Sequence, residues 1–144
     1  MPRFIRRSLL QVDMSAMSVP DEVLTAGSDA LIMDLETISP ERRAALGQSE
    51  MLSLLGTAAT SGAEVFLRVT SNTAYAGLEV GVCPDLAGVV LSNVEILSEV
   101  EDASEQLAQL ERQRGLPVGS LQIVLEIGTA TGVLGALDIA RSCT

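Results

Sequence analysis

The sequence predicts an α/β fold of about five parallel strand–helix units, and three observations carry that reading. The stretch Asp29-Ala30-Leu31-Ile32-Met33-Asp34-Leu35-Glu36 sets four apolar residues before two carboxylates placed two apart, as in a buried parallel strand with a polar carboxyl end. From Asn93 to Arg114, Ile96, Val100, Ala103, Leu107 and Leu110 recur at alternating steps of four and three, one apolar stripe on a helix. Strand-like and helix-like segments alternate five times with no compositional break that would mark a linker. Such alternation implies a parallel sheet with right-handed crossovers.

The elements follow in order. Ser8–Val12 is a short apolar run and the first strand. Val19–Ala26 is a helix stopped by Gly27. The acid-tipped strand comes next, and period-two geometry puts Asp34 and Glu36 on one side of it. Ser39-Pro40-Glu41 reads as cap, first-position proline and first-turn acid, opening a helix that runs to about Ser61 before Gly62. Glu64–Val69 is the third strand, with Arg68 near its carboxyl end. Asn72–Val82 reads as a short helix and Leu86–Leu91 as the fourth strand. The long helix ends at Gly115 and Pro117. Leu121–Ile127 is the fifth strand, Gly128–Gly132 a turn and Val133–Ser142 the last helix.

Composition removes whole classes of function. The chain has 144 residues, 47% hydrophobic, enough for one domain with a real core. Aromatics make up 2%, too few for a base-stacking surface, and a net charge of −10 repels a phosphate backbone, so nucleic acid is not an expected partner. No run of 18 apolar residues is present, so no membrane partner is expected either. The basic start Met1-Pro2-Arg3-Phe4-Ile5-Arg6-Arg7 leads into no apolar signal segment, which makes a cytoplasmic location the expectation. Cys83 and Cys143 lack metal spacing and read as reduced thiols. Histidine is absent, and so is lysine: all nine basic residues are arginine. Histidine bases and ligands, lysine Schiff bases and the phosphate-loop lysine are thereby excluded. Chemistry must use carboxylates, arginine, hydroxyls, backbone dipoles or a hard metal ion on oxygen.

Four stretches carry a family resemblance. Arg7-Ser8-Leu9-Leu10, Ala30 through Glu36, Leu67-Arg68-Val69, and Thr129 through Ala140 resemble, in order, segments of the citrate lyase beta-subunit-like (HpcH/HpaI aldolase) family. The resemblance implies a partial TIM (β/α) barrel and a C–C bond lyase or aldolase. It also implies Mg²⁺ as cofactor and a small carboxylic acid, an oxo or hydroxy acid or its coenzyme A thioester, as substrate. A hard cation and an arginine fork suit that chemistry, in which enolate charge builds beside a carbonyl and a carboxylate must be anchored. Carried over by position, Arg68 is the substrate-binding residue and Asp34 and Glu36 are the candidate catalytic carboxylates. The family's metal-binding glutamate falls on Gly128, and its second ligand falls beyond Thr144. Glu126, two residues before Gly128, is the candidate metal ligand in its place. Thr37 stands where the family has a further acid, Val12-Asp13-Met14 replaces Val-Pro-Gly, and Ser92-Asn93 replaces Pro-Lys.

The same residues allow plainer readings. Asp34 and Glu36 would be a solvated strand end that caps the next helix, Arg68 would be ion-paired to one of them, and Glu126 would be a paired acid. Glu95, Glu99, Glu101, Asp102, Glu105 and Glu111 are expected on a solvated helix face. Val124 through Gly132 also resembles the first motif of S-adenosylmethionine-dependent methyltransferases, so a fragment of such an enzyme is a lesser alternative. A closed barrel takes roughly 250 residues and eight strands. Residues 1–144 are therefore expected to form a single incomplete barrel domain with two unpaired sheet edges. Its continuation, a partner chain or a second copy would cover those edges. The alternative to a lyase is a non-catalytic scaffold subunit of the same fold.

Overall fold

The computed structural model describes residues 5–70 and 77–142. One sheet of five parallel strands runs in the order β1-β2-β3-β4-β5. The strands are β1 (Leu9–Asp13), β2 (Ala30–Asp34), β3 (Glu64–Thr70), β4 (Leu86–Ser92) and β5 (Gln122–Leu125). The helices are α1 (Asp21–Leu24), α2 (Pro40–Ala44), α3 (Gln48–Ala59), α4 (Leu78–Gly81), α5 (Leu97–Gln113) and α6 (Ala130–Ser142). Sequential strand order with right-handed crossovers lays every helix on the same side, the winding of a (β/α) barrel rather than of a doubly wound sheet. The molecule is thus a partial barrel of five units, as expected.

The two faces of the sheet bury different things. Leu31, Met33, Val65, Leu67, Val69, Val89 and Leu91 point to the helices and join Met51, Leu55, Val100, Ala103, Leu107 and Ile139 in the main core. The alternate residues of the same strands point the other way. Ala30, Phe66 and Val90 form a second, smaller cluster there, flanked by Ile32 and Val124. This is the face that lines a barrel. At its amino-terminal end Arg6 lies over the Phe66 ring, 5.0 Å from the centroid, and pairs with Glu64. At its carboxyl end the polar residues begin.

The long helix expected over Ser39–Ser61 is two helices. Ser39 Oγ accepts the Arg42 N–H at 3.3 Å and Pro40 opens α2, as the sequence indicates. The chain then turns at Ala45–Gly47, where Leu46 drops into the core and Gly47, in extended conformation, starts α3. Burying Leu46 outweighs a straight helix whose apolar face would drift off the sheet. The helix read over Asn72–Val82 is α4 in its second half, and Asn72–Ala76 lie outside the described residues, as does Cys143. Helix α5 starts at Leu97 and leaves Ile96 54% exposed, so the core stripe begins at Val100. The start is fixed by Glu99, whose carboxylate accepts the N–H groups of Glu95 and Ile96.

Glu111 departs from the solvated face assigned to it and is 1% exposed. Its carboxylate accepts the backbone N–H of Gly119 at 2.7 Å and of Leu121 at 2.8 Å, and the Ser120 hydroxyl at 3.1 Å. Burial raises the Glu111 carboxyl, but the donors from Leu121, Gly119 and Ser120 together outweigh it and hold it below its ordinary value. The helix period alone does not show this, because the partners lie on the loop that returns to β5.

Helix α6 opens earlier than the sequence suggested, because Thr129 Oγ1 accepts the Gly132 N–H at 3.0 Å. A side chain at Gly132 would meet the Val94 carbonyl at 2.4 Å. Glycine at this position therefore lets α6 sit directly on the loop after β4, a packing role for the last glycine of the methyltransferase-like stretch.

Candidate functional site

In-register parallel strands bring their carboxyl ends to one rim. Asp34 and Arg68 are direct neighbours across β2 and β3, and Arg68 is level with Val90 and Val124. Arg68, Asp34 and Glu126 lie on the barrel-lining face by the period of two. Glu126 follows β5 and still belongs to the ladder, its N–H donating to the Leu91 carbonyl and its carbonyl accepting from Val94.

Glu36 reaches the site by a different route from the one expected. The strand ends at Asp34 and gives way to a 3-10 turn over Leu35–Thr37. Asp34 Oδ1 accepts the Glu36 N–H at 3.0 Å, and the Thr37 hydroxyl donates to the Asp34 carbonyl at 2.7 Å. Thr37 Oγ1 in turn accepts the Met14 N–H at 2.7 Å, which ties the ends of β1 and β2 together. The turn swings the Glu36 side chain back over the rim.

All four sequence-derived candidates meet at the Arg68 guanidinium. Nη1 donates to Asp34 Oδ1 and Oδ2 at 3.3 and 3.2 Å, and to Glu36 Oε2. Nε and Nη2 form a bidentate fork with Glu126 Oε2 and Oε1 at 3.0 and 2.8 Å. The Arg68 side chain is 13% exposed, against 4% for Asp34, 24% for Glu36 and 40% for Glu126. The fork to Glu126 raises the Arg68 pKa most, burial lowers it, and the fields of the three carboxylates add to the rise; the guanidinium stays charged. The hydrogen bond from Arg68 lowers the Glu126 carboxyl, burial opposes that, and the guanidinium field lowers it further.

Two polar partners were missed by the sequence reading. Gln11 Nε2 donates to Asp34 Oδ2, and the Ser92 hydroxyl donates to Glu36 Oε1 at 3.0 Å. Ser92 ends β4 and Gln11 is the middle residue of β1, both with the parity of the barrel-lining face, so their only sequence signal is a polar residue of the right parity in an apolar run.

Magnesium, which the resemblance implies, can be tested against this donor set. Both oxygens of each of the three carboxylates already accept a hydrogen bond. Gly128 offers no ligand, and a Cβ there would meet Asn93 Oδ1 at 2.6 Å. Among the described residues no group of three or more His, Cys, Asp or Glu is arranged to hold a metal ion. The residues as arranged do not fit the ion, and an arginine stands as the cation among the acids.

Five singly wound βα units with acids and an arginine gathered at the strand ends define a partial (β/α) barrel with a charged rim at its carboxyl end. The chain belongs to the HpcH/HpaI aldolase/citrate lyase family, whose model matches residues 7–144. Among solved structures, the Haloferax volcanii malate synthase magnesium/glyoxylate complex superposes with a TM-score of 0.76 at 18% identity, over 99% of this chain and 48% of that one. The pyruvate/acetyl-CoA ternary complex of the same enzyme gives 0.71 at 20% identity, over 99% and 44%. A citrate synthase variant gives 0.56 at 17% identity, over 92% and 53%. The chain spans about half the length of these proteins, and at such identity the likeness shows the fold. Among curated proteins, none matches the sequence with significance.

Proposed function

We propose that this chain is a C–C lyase or aldolase-type half-barrel whose mouth takes up a small oxo or hydroxy acid, or its coenzyme A thioester, on Arg68. One observation carries the reading. A fixed guanidinium stands at the strand ends of an aldolase-family barrel, held from one side by Asp34 and Glu36, with its Nε–Nη2 edge turned toward the most exposed acid. That edge is the one a ligand carboxylate takes bidentately. The glyoxylate and the pyruvate/acetyl-CoA in the complexes of the structural relative belong to the same substrate class.

In this reading Asp34 positions Arg68, because it is walled in by Gln11, the turn and the guanidinium itself. Glu36 is the carboxylate that exchanges a proton with a ligand carbon, being nearer solvent and oriented by Ser92. The Arg68 guanidinium supplies the positive field on developing enolate charge. Magnesium carries no step in this reading, since Gly128 supplies no ligand and no acid cluster among the described residues is arranged to hold the ion. Calorimetric titration of the chain with pyruvate, with and without Mg²⁺, tests the reading. Measurable heat that disappears in Arg68→Lys, which keeps the charge and loses the fork, supports it. The second reading is a non-catalytic scaffold subunit, favoured by the saturated carboxylates and by Gly128. No heat under either condition, with Glu126→Gln silent as well, leaves only the scaffold.

Residues 1–144 act in this proposal as a single incomplete barrel domain working in the cytoplasm. Among the described residues no helix is long and apolar enough to cross a membrane. Strands β1 and β5 each have one neighbour in the sheet. Leu9 on β1 is 48% exposed, and Val133, Leu134 and Leu137 on α6 are 65%, 87% and 61% exposed. Open edges flanked by apolar surface favour association of copies or a covering partner. Light scattering is expected to give a mass above 15.1 kDa, and a clean monomer of that mass would contradict self-association.

A further inference from the structure

Glu126 differs from the other two acids in a way that the anchor role of Arg68 leaves unused. Asp34 and Glu36 both bind Nη1 and fix the guanidinium from one side. Among the described residues Glu126 alone covers the Nε–Nη2 edge, with two oxygens at 3.0 and 2.8 Å. It is also the most exposed of the three, at 40% of its side chain, and it follows the edge strand β5, which has no neighbour on its far side among the described residues. Rotating it away returns its charge to water, whereas moving Asp34, 4% exposed, would strand a buried charge. A carboxylate in the fork of an arginine is the interaction that a substrate acid would make, supplied here by the chain itself.

We propose that Glu126 is an internal stand-in for the substrate carboxylate, closing Arg68 until an incoming acid displaces it. The proposal rests on the reading of Arg68 as the carboxylate anchor. Glu126 is then a competitor that sets the affinity threshold of the mouth rather than a ligand of a metal or a participant in the reaction. Affinity for any acid is reduced by the population in which the fork is closed. It is reduced again by repulsion from the displaced charge.

The test is calorimetric titration of the full chain with sodium pyruvate, in wild type, Glu126→Gln, Glu126→Asp, Arg68→Lys and the double variant Arg68→Lys/Glu126→Gln. Glutamine keeps the shape and drops the charge-assisted fork. Aspartate keeps the charge but is one methylene short of a guanidinium that Asp34 and Glu36 hold in place, so it separates fork occupancy from repulsion. The expected result is about tenfold tighter binding in Glu126→Gln, an intermediate gain of about threefold in Glu126→Asp, and no gain in the double variant. Arg68-dependent binding in wild type with no gain in either Glu126 variant would overturn the stand-in role and leave the anchor reading intact. Absence of binding in every variant, Glu126→Gln included, would overturn both.

Discussion

The Arg68→Ala chain unfolds at pH 7 with about 3–5 kcal/mol less stability than the parent, the cost of removing one partner from a buried charge network. The size follows from burial. Arg68 is 13% and Asp34 4% exposed at the side chain, so the acid left behind has little water to turn to. Glu36 and Glu126 are left facing it across the space of the lost guanidinium. The pH dependence has a definite sign. Glu126 is held below its ordinary value by Arg68, so its pairing contributes stability above the unfolded pKa and loses it as pH falls through the folded one. Parent and variant therefore converge toward acid, where the pairing of Glu126 with Arg68 no longer contributes to the parent. Urea unfolding at neutral and at acid pH measures both effects. A loss under about 1 kcal/mol at pH 7, the size of a surface pair, would show that the rim is solvated and that the acids do not depend on Arg68.

Replacing Glu111 by alanine costs about 2 kcal/mol, through the buried Leu121 N–H left without an acceptor and the loop into β5 left without the carboxylate that ties down Gly119 and Ser120. Gly119, Ser120 and Leu121 all donate into this one carboxylate, which is 1% exposed; Leu121 is buried with it, whereas Gly119 and Ser120 lie at the surface. Glu111→Gln keeps an acceptor oxygen and should lose less than half as much. The sign of the pH effect is again fixed by a carboxyl held below its ordinary value: the stability is present at neutral pH and disappears as pH falls through the folded value. Glu111→Ala should accordingly flatten the acid limb of the stability curve. An alanine variant as stable as the parent at pH 7 would mean that the loop finds other acceptors.

Legibility varied along the chain for physical reasons. Where one rule governs a segment, the sequence was sufficient. The apolar runs at Leu31–Met33 and Val65–Leu67 can be satisfied only by burial on both faces of a sheet, and the 3.6-residue stripe through Val100 and Leu107 only by a helix on one face. Where two rules compete, it was not. The segment Ser39–Ser61 has helical residues throughout, and its break at Ala45–Gly47 is decided by what Leu46 can reach. Glu111 shares the charge pattern of its solvated neighbours, and only the returning loop makes it a buried acceptor. Glu36 was expected on the same strand face as Asp34; it arrives beside Arg68 because the hydroxyl of Thr37 and the side chain of Asp34 close a turn there.

Taken alone, the residues determined the class of the fold, the parallel order of its units and the few side chains able to do chemistry, since periodicity and the absence of histidine and lysine are local or compositional facts. They did not determine how Asp34, Glu36 and Glu126 divide the edges of the Arg68 guanidinium. Arg68 lies 32, 34 and 58 positions from its three partners along the chain. Strand register and the depth of each carboxylate below water fix that division, and both exist only once the sheet has formed.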